Sequence, residues 1–77
     1  MSKKVILYST TGCPLRERYR ALLSEHNQPY EERNTTENSH YLDDLAARGI
    51  FVVPTVLVDD AAVPGFRPNS VAELLAA

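Results

Sequence analysis

The stretch from Ile50 to Val58 is the most apolar in the chain, and a proline stands in its middle at position 54. Pro54 has no N–H to give to a strand ladder, so this run cannot be one unbroken strand. The pattern predicts that Pro54 opens the strand and that Thr55 to Val58 form it. Asp59-Asp60 then make a tight turn, and Ala61 to Val63 return as a short antiparallel partner. Val5-Ile6-Leu7-Tyr8 is a second, continuous apolar run, the pattern of a strand buried on both faces of a sheet.

Between these strands the periodicity changes. Leu15, Tyr19, Leu22, Leu23 and His26 form a stripe at helical spacing, with Cys13-Pro14 at its start and Asn27-Gln28-Pro29 at its end. Tyr30 to Asn34 has one apolar residue, and its glutamates disfavour a strand. Its five residues between two helices nevertheless fit a short edge strand. Thr35 or Thr36 is expected to cap a second helix with Tyr41, Leu42, Leu45 and Ala46 on its buried face, Arg48 in its last turn and Gly49 closing it. After a turn at Pro64 to Pro68, Ser70 and Glu73 have capping-box spacing for a last helix that buries Val71, Leu74 and Leu75. The order βαβαββα predicts an α/β fold, a four-stranded mixed sheet flanked by three helices.

At 77 residues the chain has room for one domain, 1–77, with one small core. A single cysteine excludes an internal disulfide, and one cysteine with two distant histidines, His26 and His40, cannot supply four zinc ligands, so no metal site is expected. The apolar runs are far shorter than the roughly 20 residues that span a bilayer, and the first is too short for a signal peptide. The expectation is a cytoplasmic protein, a monomer, with no membrane contact. A net charge of −2 with both signs interspersed offers no footprint for nucleic acid. Arg18 and Arg20 read as a solvated helix face.

The chemistry is expected at Gly12-Cys13-Pro14, where strand turns into helix. A thiolate is the nucleophile in disulfide exchange, and a helix N-terminus stabilises it through unpaired N–H groups and the helix dipole. Gly12 and Pro14 shape the turn. Arg16 lies one helical turn on and is expected to add positive charge by folding back toward Cys13. The competing reading of Cys13 is a buried, inert thiol.

Together, Tyr8-Ser9-Thr10-Thr11-Gly12-Cys13-Pro14, Val53-Pro54-Thr55 and Gly65-Phe66-Arg67-Pro68 resemble the glutaredoxin family of the thioredoxin-fold superfamily. The match runs along nearly the whole chain. The last stretch is most similar to the glutaredoxin-like hydrogen donors of ribonucleotide reductase. The resemblance implies a thiol-disulfide oxidoreductase with Cys13 catalytic and a cis bond before Pro54. It also implies a Val53 backbone that pairs with the extended substrate, and backbone groups at Gly65 and Phe66 that hold the γ-glutamyl end of glutathione. Tyr8 is either a residue beside the cysteine or a core aromatic, and Phe66 is open in the same way. Arg48 reads as a cation closing its helix rather than a glutathione ligand, and His26 and His40 suggest no Cys-His catalysis.

The family's Cys-x-x-Cys is here Cys13-Pro14-Leu15-Arg16, and the Cys-Gly-Phe-Ser of its monothiol members is also missing. The acidic pair that usually follows the Gly65 turn is absent too. The first expectation is therefore monothiol exchange with glutathione as co-substrate and no tightly bound cofactor. One alternative is a module binding glutathione or a bridging [2Fe-2S] cluster, with Cys13 as this chain's ligand; a proline directly after the cysteine argues against the cluster. Another is a hydrogen-donor relative, served by thioredoxin reductase, whose two-thiol activity is lost through Arg16.

Overall fold

The apolar runs pair as their composition demands. The computed structural model describes residues 3–76; Met1, Ser2 and Ala77, at the two ends of the expected domain, lie outside the described residues. Its elements are β1 (Val5–Ser9), α1 (Pro14–Glu25), β2 (Glu31–Asn34), α2 (His40–Ala47), β3 (Thr55–Val58), β4 (Ala61–Pro64) and α3 (Pro68–Ala76). The sheet order is β2-β1-β3-β4. β1 runs parallel to β2, with Leu7 opposite Glu32 and Ser9 opposite Asn34. It runs antiparallel to β3, which in turn pairs antiparallel with β4.

The period-2 alternation of the central strands separates two cores. Val5 and Leu7 of β1 and Val56 and Val58 of β3 face Tyr19 and Leu23 of α1 and Val71 of α3. Ile6, Tyr8 and Leu57 face the other way, onto Leu45 and Ile50. β1 and β3 are buried along their whole lengths because helices cover both faces of the sheet. Fully burying an aliphatic or aromatic side chain of this size contributes about 1.5–3 kcal/mol, so Leu7, Tyr19, Leu23 and Val71 anchor the larger layer.

Helix boundaries differ from the sequence expectation at three places. His26 does not join the buried stripe of α1; it is the exposed C-cap. Neither Thr35 nor Thr36 caps α2, whose N-cap is Ser39 without a side-chain hydrogen bond. Both threonines are spent on the loop after β1: Thr35 N and Oγ1 donate to the Ser9 carbonyl at 2.7 and 2.9 Å, and Thr36 Oγ1 meets Thr10 Oγ1 at 2.7 Å. Finally, Pro68 opens α3, so Ser70 lies inside the first turn and cannot form the capping box with Glu73. Proline at the first helical position sacrifices no hydrogen bond, which explains the earlier start. Leu42 and Ala46 are exposed, leaving Leu45 as the buried residue of α2 with Tyr41 partly covered.

Candidate active site

Cys13 is the N-cap of α1, in extended conformation at φ −86° and ψ 117°, and its side chain is half-buried. Gly12 before it has φ +79°, a left-handed conformation that favours glycine and helps the chain turn from strand to helix within Thr10 to Cys13. Cys13 N donates to the Thr10 carbonyl at 3.4 Å, and Arg16 N donates to the Cys13 carbonyl at 3.2 Å. Pro14 occupies the first helical position. The sulfur therefore sits at the positive end of the α1 dipole, which favours an anion, although Pro14 brings no N–H and Arg16 N is already taken by the Cys13 carbonyl.

The loop that carries Cys13 is fastened to the segment after β2. Thr36 Oγ1 accepts from Thr11 N at 3.1 Å, and Asn34 Nδ2 donates to Thr11 Oγ1 at 3.1 Å. Asn34 Oδ1 also accepts from Thr36 N and Glu37 N at 2.8 and 3.2 Å. One buried asparagine thus ties two loops together. The two contacts to Thr11 span 25 and 23 residues of chain, so local spacing gives no sign of them.

Arg16 does not fold back on Cys13 as expected. Its Nε donates to Glu32 Oε2 at 2.9 Å, and the two side chains are only 19% and 18% exposed. A full carboxylate that is already fixed by Ser9 Oγ at 2.8 Å is the stronger partner. Arg18 is exposed as expected, and Arg20, with 34% of its side chain exposed, is partly solvated but also ion-paired. Arg20 Nε and Nη2 grip the two Glu32 oxygens at 2.7 and 2.9 Å, and Nη1 reaches Glu17 at 2.8 Å. Burial works to raise the Glu32 carboxyl, but the hydrogen bonds from Arg20 and Ser9 and the charges of Arg16 and Arg20 outweigh it and hold the group below the usual range. The signal for Glu32 was present in part: Arg16 and Arg20 are four residues apart and so share a helix face, as cations gathered on one anion would.

At the start of β3, whose Thr55 pairs with Tyr8 near the end of β1, the Val53–Pro54 peptide is cis. Thr55 Oγ1 donates to the Val52 carbonyl at 2.7 Å and fixes the bend that precedes β3. Pro54 is buried and Val53 half-buried. Phe51 and Val52 just before them are 84% and 42% exposed and, with Leu42, make the apolar side of this surface.

The remaining candidates go mostly to packing. Tyr8 is 1% exposed, joins the α2-side core, meets Tyr41 edge-on and accepts a hydrogen bond from Arg33 Nη1 at 3.0 Å. Its burial fits the core-aromatic reading. Phe66 packs edge-on against Tyr19, ring centres 5.0 Å apart, and covers the α1-side core. The Tyr19 hydroxyl donates to the Gly65 carbonyl at 2.7 Å and accepts from Arg67 N at 2.8 Å, so this helical core residue also secures the turn into α3. Arg48 is the C-cap of α2 and borders a cleft with Tyr8, Arg33 and Asp44. His40 is exposed at the start of α2, 3.6 Å from Asp43. Among the described residues no three His, Cys, Asp or Glu side chains gather as a metal site, and no helix is long and apolar enough to cross a membrane.

A mixed sheet in this strand order, with a cysteine at the N-cap of α1 and a cis-proline opening β3, defines a thioredoxin-fold protein. The crystal structure of the thioredoxin-like protein BC3987 superimposes with a TM-score of 0.87 at 25% identity, over 92% of this chain and 99% of that one. The NrdH-redoxin of Escherichia coli gives 0.82 at 21% identity, over 92% and 93%, a likeness of fold. The family model Glutaredoxin matches residues 5–63. The glutaredoxin-like protein NrdH of Lactococcus lactis subsp. lactis is 31% identical over 70 residues, 91% of this chain and 97% of that protein. The chain belongs to the glutaredoxin family of thiol-disulfide oxidoreductases and within it resembles NrdH.

Proposed function

We propose that this chain exchanges thiols and disulfides through Cys13 alone, with a glutathione mixed disulfide as substrate. The observation that carries the reading is the placement of Cys13 at a helix N-cap while position 16 holds an arginine bound to Glu32. The chain has no second thiol. In the first step the Cys13 thiolate attacks the glutathione sulfur of R–S–S–G, forming Cys13–S–S–G and releasing RS⁻, which takes a proton. In the second, a glutathione thiolate attacks the Cys13-bound glutathione sulfur, giving oxidised glutathione and returning the Cys13 thiolate. The sum is RSSG + GSH → RSH + GSSG, and no resolving cysteine enters it. The Val53 backbone and the turn at Gly65-Phe66 would position the peptide part of the substrate. The test is a mass spectrum after incubation with oxidised glutathione, read beside a Cys13→Ser control. An adduct on Cys13 that the control lacks is expected; an unmodified Cys13 overturns the reading.

A second reading, a disulfide-bearing protein as partner, is favoured by two observations. Phe51, Val52 and Leu42 leave an apolar surface beside Val53, and Tyr19 already occupies the Gly65 carbonyl and the Arg67 N–H. On this reading Phe51→Ser slows exchange with a protein mixed disulfide and leaves exchange with a small one unchanged. Equal rates toward both in the variant and the parent protein would reject it.

A further inference from the structure

Glu32 is the centre of a network that joins β1, α1 and β2. One carboxylate in the edge strand β2 receives Ser9 from β1 and both Arg16 and Arg20 from α1, at 2.7–2.9 Å. Arg20 is fully engaged, because Glu17 takes its third nitrogen. Arg16 differs. It lies three residues from Cys13, and its N–H donates to the Cys13 carbonyl at 3.2 Å, so the two residues are backbone neighbours and the N-cap side chain is within the reach of an arginine. The guanidinium thus has two possible partners, the sulfur at the N-cap and the carboxylate across on β2, and the structure places it on the carboxylate.

We propose that Glu32 is a positioning residue that holds Arg16 against β2 and so withholds its charge from the Cys13 sulfur. The consequence concerns both halves of the exchange. Cys13 attacks in the first step and is the leaving group in the second. A cation beside it would make it a better leaving group but a poorer nucleophile, since nucleophilicity falls with basicity at a Brønsted slope of about 0.4–0.5. Glu32 keeps the sulfur on the nucleophilic side of that balance. The other ionisable groups around the network are Glu17 on α1, Tyr30 just before β2, which interacts with Arg20, and Glu37 and Tyr41, which border the same cleft as Arg16, Arg20 and Glu32. Arg67, at the entry to α3, meets the Tyr19 hydroxyl through its backbone N–H.

The inference rests on Cys13 as the reacting thiol, and its test reads alkylation rather than glutathione transfer. The rate of iodoacetamide reaction is measured against pH for the parent protein, Glu32→Gln, Arg16→Leu and the double variant, with circular dichroism to establish folding. In Glu32→Gln the freed Arg16 moves the midpoint of the profile down by about one pH unit and lowers the limiting rate at high pH about threefold. Arg16→Leu alone leaves the midpoint in place, and adding it to Glu32→Gln restores the parent midpoint. Because Glu37 borders the cleft and offers Arg16 a second carboxylate, Glu32→Gln/Glu37→Gln is measured as well. No shift in either glutamate variant overturns the proposal. So does a downward shift that survives Arg16→Leu, which would mean that Glu32 acts by its own charge. A raised midpoint in Arg16→Leu alone does the same, since Arg16 would then already act on the sulfur, and this arm decides the matter if Glu32→Gln fails to fold. A parent protein that resists alkylation at every pH refutes the assignment of Cys13 itself, a different failure from unshifted profiles.

Discussion

Replacing Tyr19 by phenylalanine removes one oxygen and leaves the ring, and with it the edge-on contact to Phe66. What is lost is the pair of hydrogen bonds joining α1 to the turn before α3, at 2.7 Å to the Gly65 carbonyl and 2.8 Å from Arg67 N. A neutral hydrogen bond contributes about 1 kcal/mol net, and a buried partner left unpaired costs more. Gly65 is only half-buried and Arg67 is exposed, so water replaces part of what is lost. The expected loss is therefore about 1–2 kcal/mol. For 77 residues, an unfolding entropy of about 2.1 cal/mol/K per residue turns that into a fall in Tm of roughly 6–12 °C. Thermal unfolding followed by circular dichroism measures it. The alkaline limb provides a second reading. Burial pushes the Tyr19 hydroxyl above its ordinary 10.0, against the opposing effects of the Arg67 N–H and charge. A group whose pKa is raised by folding adds stability that is complete below the unfolded value and is lost as pH rises through the folded one. The parent protein should thus lose stability above about pH 10 by an increment that Tyr19→Phe does not show. A variant with an unchanged Tm and the same alkaline limb would refute the claim that this hydroxyl secures the turn.

At the other pH extreme, Glu32 is held below its ordinary range, so the stability it confers is present above the unfolded carboxylate value and is lost as pH falls through the folded one. Acid unfolding of Glu32→Gln is expected to be flatter across that window, and a parallel curve would count against the network. Asn34→Ala leaves Thr36 N, Glu37 N and Thr11 Oγ1 without their partner, and urea titration should show a loss of about 1–3 kcal/mol. Arg16→Cys recreates the Cys-x-x-Cys spacing and is expected to gain disulfide reductase activity with thioredoxin reductase; no gain with that enzyme or with glutathione would argue against a hydrogen-donor ancestry. Anaerobic reconstitution with iron, sulfide and glutathione should leave a colourless monomer, and visible absorption from a bound cluster would contradict this.

The sequence exposes β1 and β3 because strands buried on both faces must be apolar throughout. It exposes the start of β3 because proline has so few roles near a sheet. Cys13 at the head of α1 is legible for a similar reason: Gly12 and Pro14 punctuate the chain on either side of it. The parts that stay hidden depend on partners distant in sequence. Thr35 and Thr36 have the chemistry of helix caps, and only the fold shows that the loop after Ser9 uses them first. Glu32 looks like a residue that weakens a strand until α1 brings two arginines to it. The hydroxyl of Tyr19 is invisible in a stripe of hydrophobic spacing that accounts for its ring alone.

The two outer strands bear on how a partner can approach. β2 offers Glu31, Glu32 and Arg33 in sequence, with Arg33 paired to Glu31 and Asp44 and stacked over Tyr8 and Tyr41. β4 ends at Pro64, which has no N–H to donate. An incoming extended chain would meet fixed charge at one margin of the sheet and an interrupted ladder at the other, both of which discourage strand addition and the fibrillar stacking that follows from it. In the proposed reaction, that leaves the backbone at Val53 as the place where a substrate strand can add, at the same end of the sheet as the loop that carries Cys13, since Thr55 pairs with Tyr8.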